Sequence, residues 1–356
     1  MKNVLFATTA LVAFAGAASA ASHASGATVS FSGEITAGYN DETEGGLFYD
    51  TELNLTASVD FGDNVTAKLT YELVSTADNV EAGTDIDPTV EINYTGGSLT
   101  ASLKYGDLGD KGASEYFYAD RDGMGQDVEN HDSDRDVRAL VEFGNFGVAA
   151  GCQIVGSGDC GGVNVGLGAT FGSIKLGVGY DDNSSGQTAV TAVSADATFG
   201  SINVGVSYAD GAEQSVGVEV GTTFGAIEVG AYYANNSVSD DGYGVSVDYT
   251  AGALTVGVFY DNVDDGGAGT GRAEYGVDVA YTVNSQITAR AGYLEGEAEV
   301  LNAAFTGTDT VGSYFYVGME YAVNDNISAT VSYAEANEFG APEYKQGISA
   351  FITASF

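Results

Sequence analysis

The chain has 356 residues, with 50 Asp and Glu against 11 Lys and Arg, a formal net charge of −39. A surplus of that sign excludes nucleic acid as a partner, because phosphate binding needs clustered bases. Hydrophobic residues make up 44%, with 22 Tyr and 17 Phe, which excludes a disordered acidic polymer, and 51 Gly with only 2 Pro excludes collagen and Pro-rich linkers.

Residues 1–20 read as an export signal. Lys2 supplies the positive start, Val4 to Ala17 the apolar run, and Ala18-Ser19-Ala20 an A-x-A cleavage site. Residues 21–356 then form the mature chain and one domain. No stretch approaches the ~20 continuous apolar residues of a spanning helix.

From residue 27 onward the pattern has period two. Val29, Phe31, Ile35, Ala37 and Tyr39 share one face, and Ser30, Ser32, Glu34, Thr36 and Asn40 the other, which predicts a strand with one apolar and one polar side. The same alternation runs through Leu53–Phe61 and, after a Gly62-Asp63-Asn64 turn, through Val65–Leu73. A polar connection containing Pro88 follows, then Val90, Ile92 and Tyr94, a Gly96-Gly97 turn, and Leu99–Tyr105. Both prolines, Pro88 and Pro342, are expected in long connections, where no ladder hydrogen bond is lost.

Residues 106–135 break the pattern and form the longest non-strand stretch. They carry Asp107, Asp110, Glu115, Asp120, Asp122, Asp127, Glu129, Asp132 and Asp134 against Lys111, Arg121 and Arg135. Loops of this length are usually functional or disordered. The expectation is that this one folds into a channel and narrows it, the alternative being an exposed acidic loop. Cys152 and Cys160 are the only cysteines; an even count in an exported chain points to a disulfide, with two free thiols as the alternative.

Beyond the loop the hairpins approach a repeat. A-T-F-G-S-I-K-L-G-V-G-Y (169–180), A-T-F-G-S-I-N-V-G-V-S-Y (197–208) and T-T-F-G-A-I-E-V-G-A-Y-Y (222–233) each place an aromatic before a tight turn and a Tyr at the far end. Phe61, Tyr94, Phe143, Phe171, Phe199, Phe224, Tyr249, Tyr281 and Tyr321 form one aromatic row, and Tyr105, Tyr180, Tyr208, Tyr233, Tyr260, Tyr293 and Tyr333 a second, both on the apolar face. Two rows bracketing small apolar residues suit the two interfaces of a membrane; a soluble sandwich with an aromatic core would not need them. A sheet facing lipid must close, because an unpaired edge cannot be satisfied there. Nine short turns plus a first and a last strand give 20 strands. The fold class is therefore all-β: a closed antiparallel transmembrane β-barrel with short turns at one end and longer acidic loops at the other. A barrel of 16 or more strands leaves an aqueous lumen.

The F-G-x-I turns, G-D-L-G-D-K-G-A-S-E-Y-F at 106–117 and the terminal I-S-A-F-I-T-A-S-F resemble the general diffusion porins of Gram-negative bacteria. The resemblance implies an outer-membrane homotrimer with short periplasmic turns, a third outer loop folded into each pore, and a C-terminal aromatic, here Phe356, as an assembly signal. The family usually has 16 strands. It sets a basic wall against an acidic loop. Strand parity points Lys68, Lys104, Arg138, Lys175 and Arg290 inward; Lys68, Lys104 and Arg138 are the leading wall candidates, and Asp107, Asp110, Glu115, Asp120 and Asp122 are the loop candidates.

The implied function is passive diffusion of small hydrophilic solutes and ions, with cations favoured because acidic linings attract them. Alternatives are a substrate-specific outer-membrane channel and a non-conducting structural barrel. An enzyme is not expected: a barrel hydrolase needs a wall histidine near a serine, and the mature chain offers only His23 and His131. No cofactor is expected beyond a weak indication of Ca2+ from carboxylates of the longer loops, such as Asp261, Asp264 and Asp265 in the connection 261–271.

Overall fold

The computed structural model describes residues 27–42, 46–77, 82–106, 112–126, 136–154, 160–182, 188–239, 241–263, 272–301, 307–337 and 344–356. The expected signal segment, Asp107, Asp110, Asp264, Asp265, Pro342 and both histidines lie outside them.

The alternating segments form 20 strands: β1 Ala27–Asn40, β2 Leu47–Gly62, β3 Val65–Ala77, β4 Ala82–Gly96, β5 Leu99–Gly106, β6 Asp136–Phe143, β7 Phe146–Ile154, β8 Cys160–Phe171, β9 Ile174–Asp181 and β10 Val190–Phe199. The second half continues with β11 Ile202–Asp210, β12 Gln214–Phe224, β13 Ile227–Asn236, β14 Gly242–Ala251, β15 Leu254–Val263, β16 Arg272–Asn284, β17 Ile287–Leu301, β18 Gly307–Asn324, β19 Ile327–Ala334 and β20 Gly347–Ser355. Every strand pairs antiparallel with its sequence neighbours, and β1 also pairs with β20 from Glu34↔Ser355 to Asn40↔Ser349. The sheet is thus a closed 20-stranded barrel with no free edge, larger than the 16 strands usual in the family that the sequence resembles.

Tight turns set the register at one end. In Phe171-Gly172-Ser173-Ile174 the outer residues pair and Gly172 has φ of +64°. Gly200, Gly225 and Gly252 repeat this at +65°, +61° and +60°. A positive φ at the first central position is what a two-residue II′ turn requires, and glycine adopts it without penalty.

One expectation needs correction. Pro88 is not in a connection: β3 and β4 pair as far as Ala77↔Ala82, and Pro88 sits opposite Tyr71 within β4. The β4–β5 ladder starts only at Val90↔Tyr105, so Pro88 stands where the strand is paired on one side, and a proline there is tolerated.

Burial is inverted relative to a water-soluble protein. Ser207, Ser215 and Ser349 on inward positions are fully buried, whereas Phe61, Phe143, Phe199 and Phe224 on outward positions are more than half exposed. Every residue of both aromatic rows is exposed on the outer face. Such a contiguous apolar belt is stable only against lipid.

Candidate pore constriction

The connection after β5 enters the barrel, and residues 112–126 lie along the inner wall from β6 to β14. Its backbone is hydrogen-bonded to inward polar side chains of four strands. The Ala119 amide donates to Ser194 Oγ at 3.1 Å, and Ser207 Oγ donates to the Ala119 carbonyl. The Gln126 amide donates to Ser215 Oγ at 3.0 Å, and Asn236 Nδ2 donates to the Gly123 carbonyl at 2.9 Å. These buried hydroxyls and amides give the loop's polar backbone the partners that it needs away from water.

Glycine makes the close approach possible. A Cβ at Gly168 would strike the Phe117 ring, one at Gly177 the Phe117 carbonyl, and one at Gly205 the Arg121 guanidinium. The alternating glycines of the repeat-like hairpins are the floor on which the loop rests.

Arg121 anchors the middle of the loop. Its side chain is 7% exposed; Nη2 lies 2.6 Å from Asp196 Oδ1 and Nη1 lies 3.6 Å from Glu219 Oε2. The loop thus presents a base to an acidic part of the wall, a contact absent from the expected scheme of acidic loop against basic wall. Asp122 follows it, with its amide donating to Glu219 Oε1 at 3.1 Å. Asp122 keeps contact with solvent, but partial desolvation first, then the charges of Asp261 and Asp120, push its carboxyl above the ordinary value, while Arg121 opposes them. Asp120 is exposed and Glu115 is half-buried.

The strand register puts the expected wall bases on two rows, except Arg290, which pairs with Ala280 and Gly318 and lies on neither. Lys68 pairs with Glu91, Glu91 with Lys104, and Lys104 with Arg138, so three of the expected basic residues share one row across β3 to β6. Arg138 is buried, its Cζ 4.7 Å over the ring of Tyr116 from the loop. The second row starts at Lys175, which pairs with Asp196, and runs through Gly205, Glu219, Tyr232, Gly244 and Asp261 to Glu274 on β16. Lys175 therefore belongs to the acidic arc. Asp261, expected in an outer loop with Asp264 and Asp265, is on β15, where its carboxylate accepts the Tyr232 hydroxyl. Among the described residues no three metal-ligating side chains gather.

Between the loop and the short turns of β6–β7 and β8–β9 lies a cavity of about 1280 Å³, lined by Tyr116, Asp122, Lys175, Asp196, Glu219 and Asp261 among others. On the opposite wall a second segment turns inward. Tyr344, between β19 and β20, is fully buried, packs 5.2 Å from Tyr316 and covers Gly318. Nothing in its spacing marks that segment from the sequence. Cys152 and Cys160 are joined by a disulfide with Cα atoms 5.6 Å apart, stapling the outer ends of β7 and β8. At the seam, Gly33 and Phe356 exchange two backbone hydrogen bonds of 3.0 Å.

A closed, inside-out barrel with a loop docked against a polar inner wall defines a transmembrane pore. The Gram-negative porin family model matches residues 7–216 and 209–340, and the chain belongs to that family. It is accordingly an outer-membrane pore for passive diffusion. A search of curated proteins returns no match. Solved structures similar to it include two engineered variants of the Rhodopseudomonas blastica porin, each 14% identical over 92% of this chain and 100% of that one, with TM-scores of 0.46 and 0.47. At that identity the barrel stands on its own strand register.

Proposed function

We propose that the pore passes small hydrophilic solutes and favours cations, and that it works as a homotrimer. The observation that carries the selectivity is the acidic arc of Asp196, Glu219, Asp261 and Glu274, on whose row Lys175 is the single base. Arg121, a cation of the loop, is committed to Asp196 and Glu219. Carboxylates held in a confined lumen raise the local cation concentration and exclude anions. The cavity beneath the loop supports a conducting channel over a filled structural barrel. Family membership supports the trimer.

Reversal potential across a planar bilayer under a KCl gradient tests the selectivity. The expected sign is that of K+ permeating faster than Cl−, with conductance steps in groups of three. An anion-preferring potential would overturn the selectivity, and single, ungrouped steps would overturn the trimer.

A further inference from the structure

Resting on the cation-selective reading, we propose that the cavity beneath the loop is a binding site for small organic ammonium ions, so that the pore favours these solutes over inorganic cations. The first observation is Phe259. It points into the lumen, its ring lies over Gly276, and 41% of it is exposed to the cavity. Other inward rings are packed: Phe48 lies 5.9 Å from Phe351, and Tyr316 lies against Tyr344. The ring rests on Gly276, yet two-fifths of the residue stays open to a polar lumen, which packing alone does not call for.

The second observation is what surrounds it. Asp261 stands two residues along the same inward face of β15. Asp122 hangs from the loop near enough to Asp261 for their charges to repel. Arg121, their neighbour in the loop, is engaged by Asp196 and Glu219. Tyr232 sits against Gly123 and Gly244, and its hydroxyl is held by Asp261, so its ring is fixed in place. The cavity of about 1280 Å³ has room for an organic solute, since ligand pockets span roughly 300–1,000 Å³.

Aromatic faces and carboxylates together recognise one chemistry. An inorganic ion keeps its water and uses only the carboxylates. A neutral solute uses only the rings. A substituted ammonium sheds water easily and uses both, because its charge is attracted to the π-face as well as to the acids. This lumen already holds one such contact, the Arg138 guanidinium over Tyr116, whose ring lines the same cavity.

The test is block of single-channel K+ current by benzyltrimethylammonium, with benzyl alcohol as the neutral probe of similar size. The wild-type pore should be half-blocked by the ammonium at a concentration at least about tenfold below that of the alcohol. Phe259→Leu retains an apolar side chain but no π-face, and should raise the half-blocking concentration about two- to fivefold. Asp122→Asn should raise it as well. Equal block by both probes, or unchanged block in Phe259→Leu, in a channel whose KCl reversal potential remains cation-preferring, overturns this inference alone. An anion-preferring potential overturns the selectivity and the inference with it.

Discussion

Asp122 shows how one carboxyl can tune the pore. Its folded pKa is raised by burial and by Asp261 and Asp120. A raised acid binds its proton more tightly in the folded state. Its contribution to holding the docked loop is therefore complete below the ordinary carboxylate pKa and is lost as pH rises through the raised value. Once ionised, Asp122 works against the docking that its own backbone amide supports. Two outcomes follow. On acidification, cation preference should begin to fall at a higher pH than carboxylates of ordinary pKa would dictate, because Asp122 is among the acids that take up a proton early. In Asp122→Asn that early fall should shrink, with the curve displaced to lower pH. Reversal potentials taken from pH 7 downwards check both, and superimposable curves for the two proteins would refute the assignment.

At the scale of the element, the loop is held by many contacts, of which Arg121 makes the ion pairs. Removing Arg121 leaves Asp196 and Glu219 without their guanidinium. Those carboxylates are 39% and 35% exposed, so water screens them, and the cost to docking is about 1–2 kcal/mol rather than the several expected in a dry interior. Arg121→Ala should therefore leave the barrel folded, loosen the loop, add flicker to the single-channel current and strengthen cation preference by unmasking two acids. A quiet channel with wild-type selectivity would show that the hydroxyl and amide contacts suffice. Gly177→Ala acts from the wall side: its methyl meets the Phe117 carbonyl, which is backbone and cannot rotate away. The loop must lift into the lumen, and conductance should drop while the strands remain intact.

Little of this docking was legible in the sequence. The loop is the one long break in a period-two pattern, and its acids are visible there. Its contacts could not be read, because Arg121 meets Asp196 and Glu219 across 75 and 98 positions of chain. An inward glycine such as Gly168 also looks the same in sequence whether water or Phe117 lies above it. The strands were legible because each turn carries its own local signal and lipid on one side enforces strict alternation. Pro88 was misplaced because its tolerance depends on where β5 ends, a fact about a neighbouring strand.

For the whole molecule, closure of 20 strands turns two separate stretches of sequence into facing properties of one lumen. The basic row Lys68–Lys104–Arg138 comes from β3 to β6, and the acidic row Asp196–Glu219–Asp261–Glu274 from β10 to β16. If the basic arc borders the same passage, its charges hold back cations that the acidic arc attracts, and the observed selectivity is the difference. Lys68→Ala with Lys104→Ala should then increase cation preference, and more so in dilute salt. The screening length is ~10 Å at 0.1 M and ~3 Å at 1 M, so opposite arcs act on one ion together only at the lower concentration. The reversal potential of the double variant, measured at both concentrations, separates the possibilities. A shift at 0.1 M that fades at 1 M places the two arcs on one passage. Equal potentials for variant and wild type at 0.1 M would mean that the basic row lies away from the ion path, leaving the acidic arc and Asp122 to set selectivity alone.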